Sequence, residues 1–186
     1  MALHGSLPLA GEGPRERAAI GTNIRLLALD VDGVLTDGQL YFGNDGEELK
    51  AFNTLDGQGI KLLQDAGIAV ALITARESAL VARRAANLGI RHVYQGRHDK
   101  FAALQALITD LALDLAQVAY IGDDLPDLAC IRRVGLGISV SNGHASVKQY
   151  ARLITTARGG QGAVREVCDF LLQRQGLYEQ ALAPYL

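Results

Sequence analysis

Three segments of the chain, LLALDV at 26–31, IAVALIT at 68–74 and VAYIGDD at 118–124, share one pattern: an apolar run that stops on an oxygen-bearing side chain. The residues at the stops are Asp30, Thr74 and Asp123. A strand that is apolar at successive positions needs cover on both faces, as a parallel strand between two layers of helices has. Helical patterns fill the intervals, at 57–66, 78–88, 101–111 and 125–134, and short apolar runs at 90–94 and 136–140 read as further strands. Strands alternating with amphipathic helices make βαβ units, and right-handed crossovers distribute the helices over both sheet faces. The expected fold class is α/β, a Rossmann-like three-layer sandwich with a mainly parallel central sheet. Ligands of such sheets sit outside the carboxyl ends of the strands, so Asp30, Thr74 and Asp123 are expected to meet in one crevice.

The rhythm breaks once, after the first strand. Residues 39–42 and 48–52 flank Gly43-Asn44-Asp45-Gly46, and Asp-Gly is a strong hairpin signal, so a β-hairpin insertion is expected at about 39–52. A lone two-stranded hairpin is marginal in water; its Leu40, Phe42, Leu49 and Phe52 call for a partner surface. Residues 1–23 read as a loose leader with a short helix near 15–20, 24–177 as one domain, and 178–186 as a C-terminal tail. A net charge of −2 argues against a broad electrostatic grip on nucleic acid. No apolar run approaches the roughly 18 residues that cross a bilayer, and the first residues lack the pattern of a secretory signal. Cys130 and Cys168 make neither a disulfide framework nor a CxxC motif, as expected of thiols kept reduced in a cytosol. A cytoplasmic protein with no membrane or nucleic-acid partner is expected.

The chemistry concentrates in Asp30-Val31-Asp32-Gly33. Two carboxylates at the end of a buried strand are costly unless a cation or hydrogen bonds compensate them. Such an arrangement makes sense if a divalent metal, which compensates them, and a phosphate are to be held there. Asp30 can then attack phosphorus to give an aspartyl phosphate, while Asp32 protonates the leaving alkoxide and later deprotonates the hydrolytic water. Asp123 is the candidate to share Mg2+ with Asp30, since magnesium takes one or two carboxylates besides water and phosphate. Asp124 is a candidate to orient a metal-bound water or Lys100, and Asp127 a candidate cap for the following helix. Thr74 can donate to a phosphoryl oxygen, and Lys100 can neutralise the nucleophile and the transferring group. Singly these are ordinary residues, a strand-end threonine, a solvated lysine, a turn-forming aspartate. Their order and spacing carry the reading.

DVDGVLTDG at 30–38, the threonine of ITAR at 73–76, Lys100 and GDDLPD at 122–127 resemble the four motifs of the haloacid dehalogenase superfamily. The resemblance covers about 24–177. It implies Asp30 as nucleophile and metal ligand, and Asp32 as acid/base whose backbone carbonyl also contacts magnesium. Thr74 and Lys100 would hold the phosphoryl group, and Asp123 would complete the metal site. Longer stretches at 29–63, 73–90, 94–100 and 159–172, with the hairpin and the segment GGQGAVREVCDFLL, are similar to the 3-deoxy-D-manno-octulosonate 8-phosphate phosphatase subfamily. That closer resemblance implies release of phosphate from a sugar-acid 8-phosphate in lipopolysaccharide biosynthesis. It also implies that Asp32, Asn53, Thr54, Leu55, Asp56, Gly57, Lys61, Arg76, Arg84 and Lys100 surround the substrate. An arginine fork suits a carboxylate, which fits Arg76 and Arg84; Arg165 is expected on a helix surface. Two departures stand out: Ala75 where the family often has glycine, and Gln161 where many relatives carry a basic residue, with Arg158 a candidate to compensate.

The intervals between Asp30, Thr74 and Asp123 leave no room for a separate cap domain. An open site gains from shielding, so the apolar hairpin and Gly159–Gly162 point to a homotetramer in which neighbours cover each site; the resembled subfamily is likewise tetrameric. The rival readings are a nonulosonate 9-phosphate phosphatase, a receiver-like signalling domain with a phosphoacceptor aspartate, and a regulatory or assembly subunit. A receiver has no need of an acid/base two residues after its aspartate, where this chain has Asp32.

Overall fold

The computed structural model describes residues 21–186; the leader expected at 1–23 lies almost wholly outside them. In chain order, β1 (Leu26–Leu29) is followed by the hairpin strands β2 (Tyr41–Phe42) and β3 (Glu48–Leu49), then α1 (Thr54–Asp65), β4 (Ala69–Ile73) and α2 (Ala79–Leu88). Next come β5 (His92–Tyr94), α3 (Lys100–Asp110), β6 (Val118–Gly122), α4 (Leu128–Ile131), β7 (Leu136–Ser139) and α5 (Ala145–Tyr150). β8 (Leu153–Ile154), α6 (Ala163–Arg174) and α7 (Tyr178–Leu182) complete the order.

Six of these strands form one parallel sheet in the order β5-β4-β1-β6-β7-β8. Side chains alternate between the faces of a strand, so β1 feeds two cores. Leu27 and Leu29 meet Ile60 and Leu63 of α1, Val81 of α2 and Val167 and Leu171 of α6. Leu26 and Ala28 meet Leu104 and Leu107 of α3, Ile131 of α4 and Val147 of α5. The three-layer α/β sandwich expected from the sequence is thus the fold. β4 lies on one side of β1 and β6 on the other, which makes the carboxyl end of β1 the point where strand order reverses and where such sheets bind ligands.

One expectation needs correction. The helix read at 125–134 is a 3-10 turn at 125–127 followed by the four-residue α4, because Asp124 and Pro126 set a tight turn before the chain swings into β7. β8 was not foreseen; two residues are too few to leave a pattern. The hairpin forms where expected, closed by Gly43 N donating to Glu47 O at 2.8 Å, although its strands are only two residues each. Phe52 packs against the core, but the other apolar side chains lie in the open, with Phe42 66% and Leu49 63% exposed. The tail at 178–186 carries α7 and a further 3-10 turn.

α1 and α6 are joined end to end by a charge. Asn53 caps α1 through Leu55 N at 2.8 Å, and Asp56 in its first turn is buried, its Oδ1 accepting from Arg165 N of α6 at 2.8 Å. Burial pushes the Asp56 carboxyl up, against the pull of backbone amides at the start of α6. A carboxylate at a helix N-terminus satisfies amides that lack partners. Asp56→Ala should therefore lower unfolding stability by about 0.5–2 kcal/mol; urea denaturation checks this, and an unchanged midpoint would contradict it.

Candidate active site

Sheet register brings the three stops together. Leu29 pairs with Leu72 of β4 and Ile121 of β6, so Asp30 falls beside Ile73 and Gly122, with Thr74 and Asp123 one residue further on. Neighbouring strands are about 4.8 Å apart, so side chains at these ends share one crevice. Asp30 N still donates to Ile121 O at 3.0 Å. The chain then coils tightly, the amides of Val34, Leu35 and Thr36 converging on Val31 O at 3.3, 2.9 and 3.1 Å. Gly33 has φ +90°, and a Cβ there would overlap the Asp123 carboxylate; only glycine meets both demands. Gly159 packs just as closely on Gly33 O, and Gly160 N donates to Val34 O at 2.9 Å. The glycine segment therefore braces the aspartate loop of its own chain.

One cation faces three carboxylates here. Lys100, the first residue of α3, has a side chain only 2% exposed, and its Nζ lies 2.7 Å from both Asp30 Oδ2 and Asp127 Oδ1. Oxygens of Asp30, Asp123 and Asp127 all lie within 4.8 Å of one another. Burial, then the Asp127 charge, push Asp30 up to about 6 against the pull of Lys100. Burial, then Asp30 and Asp127, push Asp123 up to about 7. Burial pulls Lys100 down, but Asp30 and Asp127 outweigh it and hold the ammonium above its ordinary range.

Asp127 was underestimated. It does not cap α4 through its side chain. Its Oδ1 accepts from Lys100 Nζ at 2.7 Å and Tyr120 OH at 2.8 Å, and its Oδ2 from the amides of Asp123 at 3.1 Å and Asp124 at 3.3 Å. With four donors it is saturated, and it fixes Lys100 and the Asp123 backbone. Asp124 is exposed and caps the 3-10 turn through Leu125 N at 2.8 Å; the partner of Lys100 is Asp127. No sequence pattern pointed to Tyr120, whose hydroxyl burial and Asp127 hold well above its ordinary range.

Asp32 turns to a different set of charges. Its Oδ1 meets Lys50 Nζ, and its Oδ2 lies 3.6 Å from Arg76 Nε. Glu48 Oε1 is 3.4 Å from Lys50 Nζ and 3.3 Å from Arg76 Nη2. Slight burial raises the Glu48 carboxyl, but Lys50 and Arg76 among its partners bring it below the usual range. Thr74 is buried, its Oγ1 accepting from Arg76 N at 3.4 Å, which leaves its proton available to a ligand. Lys50 escaped the sequence reading, although the alternation Glu48-Leu49-Lys50 puts both charges on one face.

The other expected substrate residues divide. Asn53 reaches the glycine segment, its Nδ2 donating to Gly160 O at 3.3 Å, and Thr54 and Leu55 are exposed beside it. Asp56 is taken up by the start of α6. Arg84 lies over the Phe52 ring, donates to Asn53 O at 3.1 Å and fills the space a Cβ on Gly57 would need, so both serve the α1–α2 contact. Lys61 is exposed near Arg91 and His92, in a cleft at the opposite end of the sheet from Asp30. Arg165 pairs with Asp169 at 2.9 Å, half-buried on α6.

The donor set fits a hard divalent ion. Asp123 accepts no hydrogen bond from a side chain among the described residues, Gly33 keeps its approach clear, and all the nearby donors are oxygens. Asp30 and Asp123 would hold the ion, with Asp127 behind them. Metal and protons must compete for these carboxylates. Both raised groups bind more protons folded than unfolded between about pH 4 and about pH 7, so the metal-free chain should lose stability as pH rises through that window. Magnesium should reverse the trend, its thermal shift growing from about pH 5.5 to about pH 8. A pH-independent shift, or none, would contradict this; Asp123→Asn should abolish it.

Residues 84–166 match the haloacid dehalogenase-like hydrolase family. The chain is 51% identical over 159 residues to 3-deoxy-D-manno-octulosonate 8-phosphate phosphatase KdsC of Escherichia coli K12, covering 86% of this chain and 85% of that protein. The Yersinia pestis KdsC is 50% identical over 166 residues, covering 89% and 87%. A crystal structure of the Moraxella catarrhalis enzyme of that name, in complex with magnesium, phosphate and KDO, superposes with a TM-score of 0.91 at 45% identity, covering 94% of this chain and all of that one. The cobalt-bound Haemophilus influenzae phosphatase gives a TM-score of 0.83 at 39% identity, covering 87% of this chain and 98% of that one. On sequence and fold together, the chain belongs to the 3-deoxy-D-manno-octulosonate 8-phosphate phosphatase family of haloacid dehalogenase-like hydrolases.

Proposed function

We propose that this chain is a magnesium-dependent phosphatase that hydrolyses 3-deoxy-D-manno-octulosonate 8-phosphate to the free sugar acid and phosphate, as a cytoplasmic step of lipopolysaccharide biosynthesis. The observation that carries the reading is the Asp30 carboxylate at the switch point of the sheet, 2.7 Å from a buried lysine and facing Asp123.

The residues divide the work by position. Lys100 holds Asp30 Oδ2 and offers positive charge to the phosphoryl group that Asp30 attacks, while the Thr74 hydroxyl donates to another phosphoryl oxygen. The phosphoester bond breaks as the Asp30–phosphorus bond forms, and Asp32 gives its proton to the departing C8 oxygen. Asp32 then takes a proton from the water that cleaves the aspartyl phosphate. A bound Mg2+ supplies Lewis-acid neutralisation of the phosphoryl charge. Arg76, exposed at the mouth beside Asp32, suits the substrate carboxylate.

Four relatives named for this activity or its product, matched over most of their lengths, support the octulosonate ester over a nonulosonate 9-phosphate or a receiver-like role. Among the described residues no helix is long and apolar enough to cross a membrane. The open hairpin, with Leu40, Tyr41, Phe42 and Leu49 exposed, supports a homotetramer in which these faces are covered; a fully active monomer in sedimentation at micromolar concentration would remove that part.

Phosphate release with magnesium should favour the octulosonate ester by about a hundredfold or more over neutral sugar phosphates, or roughly 2.7 kcal/mol of transition-state binding. Asp30→Asn should abolish release from every ester. Equal turnover of all esters would overturn the substrate assignment, and activity retained without Asp30 would overturn the mechanism.

A further inference from the structure

The Lys50 side chain is only 1% exposed, yet it follows directly on the returning strand of a hairpin whose Leu40, Tyr41, Phe42 and Leu49 lie in solvent. Burying an ammonium is costly unless it is paired. Its acidic partners are Asp32 and Glu48, and Asp32 is the residue given the proton transfers above. Strand alternation explains the delivery: Glu48 and Lys50 face inward while Leu49 between them is exposed. Arg76 also approaches Asp32, but at 3.6 Å and with a side chain 42% exposed, so it is free to turn to a ligand. Lys50 has no such freedom.

We propose that Lys50 is a positioning residue for the acid/base step: it pins Asp32 Oδ1, so that Oδ2 is the oxygen presented to the leaving group and then to water. The hairpin would then be a working part of the site. The proposal rests on the phosphatase reading. In the first step an Asp30–phosphorus bond forms, the ester bond breaks and the Asp32 proton passes to the leaving oxygen. In the second, water oxygen bonds phosphorus, the Asp30–phosphorus bond breaks and a water proton returns to Asp32. Both transfers depend on where Asp32 is held, and small displacements of a transferring group are expensive.

The test uses the magnesium-loaded full chain in single-turnover assays with octulosonate 8-phosphate and with p-nitrophenyl phosphate, whose leaving group departs without a proton. Lys50→Met should slow release of the sugar acid by roughly a hundredfold but slow p-nitrophenolate release far less, by under about threefold. Within that single turnover phosphate should appear later than p-nitrophenolate, because the water step now lags. Lys50→Arg should recover most of the sugar-acid rate by restoring a cation to Asp32. Lys50→Gln carries the same comparison if the methionine variant fails to fold. Equal slowing of both leaving groups, or slowing of neither, overturns the positioning role. A wild-type enzyme inert toward both esters would instead overturn the phosphatase reading, so the two failures are separable.

Discussion

The structure depends on one electrostatic conflict. At the carboxyl end of β1 the fold gathers Asp30, Asp123 and Asp127 within 4.8 Å around a single buried cation, Lys100. Left alone, such a cluster binds protons, which is why Asp30 and Asp123 are pushed up to about 6 and about 7. The protein does not relieve the conflict with more lysines. It saturates Asp127 with four hydrogen bonds, pairs Asp30 with Lys100 and leaves Asp123 without a side-chain partner among the described residues. The charge left on Asp123 is what a bound divalent cation would neutralise.

The rest of the fold can be understood as support for that cluster. Parallel strands buried on both faces fix the relative heights of Asp30, Thr74 and Asp123 through backbone register rather than through side-chain contacts. Gly33 and Gly159 allow two loops to touch where any side chain would intrude on the Asp123 carboxylate or on Gly33 O. Asp56 joins the start of α1 to the start of α6, which places the glycine segment that leads into α6 against the aspartate loop. Charges far from the chemistry thus hold the loop whose shape the chemistry needs.

The sandwich and the three strand-end residues were legible because they depend on local pattern: apolar runs of strand length, polar stops, helical intervals. Lys100 was legible only in combination with them. What the pattern did not disclose depends on contacts between distant segments. Asp127 read as a helix cap, and nothing near it in sequence announces Lys100, which is 27 residues away. Tyr120 read as another apolar strand residue because its hydroxyl finds Asp127 only once the strand is built. Arg84 and Asp56 make contacts that no local pattern announces, Arg84 to Asn53 O and Asp56 to the start of α6. Lys50 sits in a hairpin whose reading rested on its turn and its apolar side chains, and its burial follows from its pairing with Asp32.

The central claim is that Asp30 itself carries the phosphoryl group during turnover. Acid-quenching the magnesium-loaded enzyme during turnover of p-nitrophenyl phosphate, followed by borohydride reduction and peptide mass spectrometry, tests it directly. Conversion of Asp30 to homoserine is expected, dependent on magnesium and on substrate. Rapid turnover with Asp30 unmodified, or modification at another residue, would contradict it.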